Sequence, residues 1–135
     1  QVDTVDDSSY CEKLAASEEL LQFVSEHAGP VLASFITSYL YYFKEGQESK
    51  VHVDNAFTSI TVMIGLRQTN DSNQTEKLSS SYVYWPNKPP LHYRLQPGEI
   101  SIFFGASVMH GRTRLEHEEN TSSLLISFRP NLKTK

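Results

Sequence analysis

Three residues of this chain have the types and the spacing to hold a metal ion. His52 and Asp54 stand two apart in Val51-His52-Val53-Asp54. On an extended strand, residues two apart point to the same side, so an imidazole and a carboxylate are offered together. A third ligand is available in His110, which follows the apolar run 100–104 in Val108-Met109-His110-Gly111. In an antiparallel two-sheet fold, strands distant in sequence pair across the mouth, so His110 can join the first two. Two imidazoles and one carboxylate on one face of a metal leave positions open for a chelating co-substrate and O2. Taken alone, His52-x-Asp54 is also the pattern of a surface ion pair, so its surroundings must carry the assignment. The single cysteine, Cys11, excludes an internal disulfide and a thiolate metal site. Any metal is thereby directed to His and Asp.

The elements that must position these residues read as one helix followed by short strands. Ser9 and Glu12 make a capping-box pattern, Leu14, Leu21 and Ala28 share a helical stripe, and Gly29-Pro30 is a stop signal. This predicts an amphipathic helix over 10–28 behind a loose acidic lead, 1–9. Residues 31–43 are β-branched and aromatic, and Glu45-Gly46-Gln47 is a turn. Over 58–66, Ile60, Val62, Ile64 and Leu66 alternate with Thr61 and Met63, the period of a strand. Residues 68–81 are polar and read as a mobile loop. Further strands are expected at 81–85, 91–95, 99–104, 108–112 and 123–129, separated by Pro- and Gly-containing turns. About eight short strands at regular spacing indicate a barrel or a two-sheet jelly roll.

With 135 residues the chain suits one domain. Seven Tyr and seven Phe fit strands rather than disorder. The net charge of −4 argues against a nucleic-acid partner, which needs a basic patch. No run approaches the ~20 apolar residues of a membrane span, and the polar first residues do not read as a targeting peptide. The compartment is left open.

Together these pieces resemble the 2-oxoglutarate/Fe(II)-dependent oxygenase superfamily, especially its prolyl-hydroxylase-like branch. The resemblance is carried in order by Tyr41-Tyr42-Phe43-Lys44-Glu45-Gly46-Gln47, His52-Val53-Asp54-Asn55, the strand 58–66, Pro97-Gly98-Glu99 with the strand after it, His110-Gly111, and Leu124-Leu125-Ile126-Ser127-Phe128-Arg129. It spans roughly residues 35–130. It implies a mainly β, double-stranded β-helix (jelly roll) with an N-terminal supporting helix, formed by 10–135. It also implies Fe(II) held by His52, Asp54 and His110, with 2-oxoglutarate as co-substrate and O2 as oxidant. The activity implied is hydroxylation of a C–H bond of an amino-acid side chain, free or in a peptide, or of a small molecule, releasing succinate and CO2. Retention of Asp54 favours hydroxylation over the halogenation of carboxylate-lacking relatives.

The chain departs from this pattern at the co-substrate anchor. The family's basic residue falls near Thr121, Ser122 or Ser123, none of which is basic. Arg129, on the face of Ser123 and Ser127 by parity, is the first candidate to pair with the carboxylate, and Arg112, on the face of His110, is the second. Tyr41 is a candidate hydrogen-bond donor to the co-substrate, in competition with Tyr39 and Tyr42. The other residues take plain structural readings. His27 suits a helix C-terminus, His92 and His117 are surface residues without partners, and Glu116, Glu118 and Glu119 form a solvated acidic turn. Trp85 packs on the sheet or lines a substrate mouth. The missing basic residue also keeps open a cupin-like metal protein, an isomerase or ligand sensor without oxygenase activity.

Overall fold

The computed structural model describes residues 2–3, 9–55, 59–69 and 78–133. Two helices, α1 (Ser9–Ala15) and α2 (Glu18–Ala28), stand where a single helix is expected. The break is made by Ser17. Its hydroxyl donates to the Leu14 carbonyl at 2.8 Å and accepts from the Leu20 amide at 3.3 Å, an N-cap that ends one helix and starts the next. Glu18 and Glu19 in the first turn of α2 favour that start. Gly29 closes α2 at φ 84°, a left-handed value suited to glycine.

The strands are β1 (Val2–Asp3), β2 (Val31–Tyr42), β3 (Ser49–His52), β4 (Ile60–Gln68), β5 (Ser81–Val83), β6 (Leu91–Tyr93), β7 (Ile100–Phe103), β8 (His110–Arg112) and β9 (Thr121–Pro130). They form two antiparallel sheets, in the orders β1-β2-β9-β4-β7 and β3-β8-β5-β6. Within the expected loose lead, Val2–Asp3 pairs with β2, and residues 1 and 4–8 lie outside the described residues. Of the loop expected at 68–81, residues 70–77 also lie outside them. Its two ends are held: the Thr69 hydroxyl donates to the Asn120 carbonyl at 2.9 Å, and Ser79 is buried.

The two faces of the five-stranded sheet differ. Ile60 and Val62 of β4 and Leu124, Ile126 and Phe128 of β9 pack with Leu20 and Val24 of α2 in one buried core. Thr61 and Met63 point the other way, toward the four-stranded sheet, where Phe103 and His110 meet ring to ring at 4.7 Å. The alternation expected for 58–66 therefore separates a helix-covered face from an inter-sheet face, as far as the described residues begin. It fails at Leu66, which a register shift between Gly65 and Arg67 leaves exposed. Gly65 tolerates no side chain, because a Cβ there would collide with the Gln96 carbonyl. No described helix is long and apolar enough to cross a membrane.

Candidate metal centre

His52 ends β3 and His110 begins β8, and the two are register partners across that strand pair. Their rings lie 4.4 Å apart between centroids. Asp54 sits beyond the end of β3, so strand alternation is not what aims it. Its amide donates to the Gly105 carbonyl at 2.8 Å, which turns the chain back under the imidazoles. Asp54 Oδ1 is 3.5 Å from His52 Nε2 and 3.4 Å from His110 Nε2. One ligand atom from each of the three lies within 4.8 Å of the other two.

The remaining polar atoms of the triad are engaged in a way that suits a metal. His52 Nδ1 donates to the Lys50 carbonyl at 2.7 Å, and His110 Nδ1 donates to the Val108 carbonyl at 2.8 Å. A carbonyl can only accept, so both neutral rings carry the proton on Nδ1 and direct the Nε2 lone pair at Asp54. Asp54 Oδ2 accepts from the Thr61 hydroxyl at 3.0 Å, which leaves Oδ1 for a cation. A Cβ on Gly105 would strike Asp54 Oδ2 and the Thr61 hydroxyl, so glycine is required for the carboxylate to stand there. The donor set of two Nε2 atoms and one carboxylate oxygen fits a divalent first-row metal with open positions, including Fe(II).

The electrostatics agree. Burial works to raise the Asp54 pKa, but bonds from His110 and Thr61 and the charges of His110 and His52 outweigh it, and the group lies below the usual carboxylate range. Burial works to lower the His110 pKa. The Asp54 bond and charge, with the Val108 carbonyl, reverse this and raise it. His110 therefore binds a proton more tightly than a free histidine, and a cation at Nε2 competes with that proton.

A cavity of about 120 Å³ next to the triad is lined by His52, His110, Met63, Tyr42 and Arg112. Arg112 is 7% exposed. Its NH1 donates to the Ser81 hydroxyl at 3.3 Å and its NH2 to the Ser79 hydroxyl at 2.7 Å. Its guanidinium carbon lies 5.4 Å from the Tyr42 ring centroid, and its Nε has no hydrogen-bond partner among the described residues. Burial pushes the Tyr42 phenol up against the opposing effects of Ser49 and Arg112, so it stays a neutral donor.

Beneath Arg112 lies a residue whose expected place was the solvated turn. Glu119 is 2% exposed. Its carboxylate accepts from the Ser79 amide at 3.0 Å, the Ser79 hydroxyl at 2.8 Å and the Glu116 amide at 3.0 Å. It faces Arg94 at 3.7 Å and Arg112 at 3.9 Å. Two guanidiniums against one carboxylate leave this cluster one positive charge in excess. A Glu-rich turn gives no sign of burial, and only the pairing of Ser79 with the 116–119 turn reveals it.

The other expected residues are placed as follows. Arg129 is exposed near the end of β9, opposite Leu32, and does not line the cavity. Tyr41 stacks on Phe43 at 5.5 Å, while its neighbour Tyr42 takes the cavity side. His27 Nδ1 donates to the Phe23 carbonyl at 2.8 Å near the end of α2. His92 is exposed as expected, but has a partner in the Ser80 hydroxyl at 2.8 Å.

No protein-family model matches the chain, and no curated protein sequence matches it. Solved structures do. A 2OG-Fe(II) oxygenase family oxidoreductase from Burkholderia pseudomallei superposes with a TM-score of 0.69 at 15% identity, over 87% of this chain and 55% of that one. A non-heme monooxygenase, ThoJ, solved as its nickel complex, gives 0.68 at 14%, over 90% of this chain and 54% of that one. A prolyl-4-hydroxylase from Pseudomonas putida gives 0.68 at 13%, over 97% of this chain and 72% of that one. The chain shares the fold of these oxygenases and spans about half the length of the first two.

Proposed function

We propose that this chain is the core of an Fe(II)- and 2-oxoglutarate-dependent hydroxylase, built by residues 10–135 as a double-stranded β-helix with supporting N-terminal helices. The observation that carries the reading is the convergence of His52 Nε2, Asp54 Oδ1 and His110 Nε2 at one point, beside a cavity that ends on a buried arginine. Bound iron supplies the activation of O2, coupled to decarboxylation of 2-oxoglutarate to succinate and CO2 and to oxygen insertion into a substrate C–H bond. The substrate is a small molecule or an amino-acid side chain.

The chain's own residues do the binding and the orienting. The Lys50 and Val108 carbonyls hold the two rings in the ligating tautomer, and Thr61 and Gly105 hold the carboxylate. Arg112 rather than Arg129 anchors the distal carboxylate of the co-substrate. On β9, Ser123 is the register partner of Leu40 and Thr121 that of Tyr42, so these residues share the cavity face. Where a basic side chain would rise from β9, Arg112 enters the same space from the opposite sheet. It is desolvated, oriented by Ser79 and Ser81, and only partly neutralised by Glu119. A buried guanidinium with a free N–H suits a carboxylate.

Anaerobic titration of the metal-free protein with Fe(II), then with 2-oxoglutarate, tests this. A weak visible charge-transfer band is expected only on the second addition. Metal binding with no band would return the chain to a metal-binding barrel without oxygenase chemistry.

A further inference from the structure

The edge strands β7 of one sheet and β6 of the other lie side by side on one flank, where the Ser101 hydroxyl of β7 bonds the Tyr93 hydroxyl of β6. Beyond that bond the side chains of the two strands leave a space between them. It forms a groove of about 490 Å³, within the usual range for small-molecule sites. Trp85, Leu91, Ile100 and Phe104 line it and are 51%, 54%, 40% and 49% exposed. No charged side chain lines it, although the chain carries a net charge of −4. Of its three side-chain polar groups, the Ser101 and Tyr93 hydroxyls are already committed, Ser101 donating to Tyr93 at 3.4 Å and Tyr93 also bonding Ser81, which leaves the Trp85 indole N–H. A strongly polar ligand would lose its water there and find a single side-chain donor in return, whereas an apolar one gains from every surface it covers.

The groove also shares a wall with the cavity beside the candidate metal centre. Phe103 and Tyr93 line both it and the cavity that holds His52, His110 and Arg112. The Phe103 ring is 4.7 Å from the His110 ring, so a ligand lying on Phe103 is one aromatic ring from a proposed metal ligand. We infer that this groove binds the substrate, and that the substrate is a small molecule with an uncharged apolar portion, an aliphatic chain or a hydrocarbon ring. The inference rests on the hydroxylase reading and names its substrate class. Arg112 binds the charged co-substrate at one end of the interior, and the groove takes the apolar substrate at its flank.

Trp85 is the chain's one tryptophan, so its emission reports this groove without any turnover. The test titrates 1-octanol, with glycerol as a polar control, into the whole chain carrying Fe(II) and 2-oxoglutarate under anaerobic conditions. A saturable blue shift with octanol and none with glycerol is expected. Leu91→Glu and Ile100→Glu, both at exposed positions, should each weaken the octanol response at least tenfold and leave the visible charge-transfer band unchanged. An octanol response absent in the parent chain, or equal in both variants, overturns the inference. So does a Trp85 emission that shifts with protein concentration, which would show a second copy covering the groove, or a response only to an apolar peptide. Loss of the charge-transfer band with an intact octanol response would instead remove the hydroxylase reading and leave an apolar binding site.

Discussion

The two faces of the five-stranded sheet are built from the same strands and do different work. On β9, Leu124, Ile126 and Phe128 lie against the helices in an apolar core, while Thr121, Ser123 and Ser127, of the opposite parity, are buried on the other face. On β4, Ile60 and Val62 join the core, and Thr61 between them carries the bond to Asp54. Burying hydroxyls costs free energy unless they are bonded, so a sheet that places them on one interior face is committed to polar contacts there. The difference teaches that stability and chemistry are carried on opposite sides of one sheet. Substitutions should therefore separate the two.

The largest separation is expected at the triad. Asp54→Ala and His110→Ala should abolish Fe(II)-dependent succinate formation without lowering the thermal stability of the metal-free chain, as read by melting with and without metal. Full turnover by His110→Ala would erase the distinction. On the helix face, Phe128→Ala should cost about 3–5 kcal/mol in denaturant unfolding, because it empties a fully buried site. It should leave metal affinity unchanged in whatever fraction stays folded. Thr61→Val keeps the shape and removes only the bond to Asp54 Oδ2, so Fe(II) affinity should fall roughly 10–100-fold by competition with a chelator.

Arg112→Ala should raise the 2-oxoglutarate requirement at least about tenfold, as loss of a charge-assisted bond worth about 1.5–3 kcal/mol implies, and Arg129→Ala should change it little. The reverse order would move the anchor to the strand end. The smallest effect concerns pH. Because His110 binds its proton more tightly than a free histidine, Fe(II) must displace it, so affinity should weaken as pH falls through the histidine range. Affinity that rises on acidification would contradict the geometry.

Much of this was legible in the sequence. The positions of most strands along the chain and the two-faced alternation over residues 60–64 follow from residue spacing, because a period of two is a local property. The split of the N-terminal helix was also written locally, in Ser17-Glu18-Glu19, but a continuous apolar stripe masks it. The Arg94–Arg112–Glu119 cluster was not legible. It depends on the 116–119 turn folding onto Ser79, a contact made 40 residues apart. A run of glutamates gives no local sign of such burial. For the same reason parity alone placed Arg129 on the right face of β9 and could not say that the strand end is exposed. Asp54 was found for a reason only partly correct, since a backbone bond to Gly105 rather than strand alternation aims it.

Gly105 gives the most direct test of that central geometry. A methyl group there would land on Asp54 Oδ2 and the Thr61 hydroxyl, and its three nearest atoms all belong to those two side chains rather than to either histidine. Anaerobic titration of Gly105→Ala with Fe(II) and 2-oxoglutarate, beside the parent chain, is therefore the decisive measurement. The parent should develop the visible charge-transfer band and Gly105→Ala should not, with both chains folded by circular dichroism. A full band in Gly105→Ala, or none in the parent, would contradict the metal centre proposed for His52, Asp54 and His110.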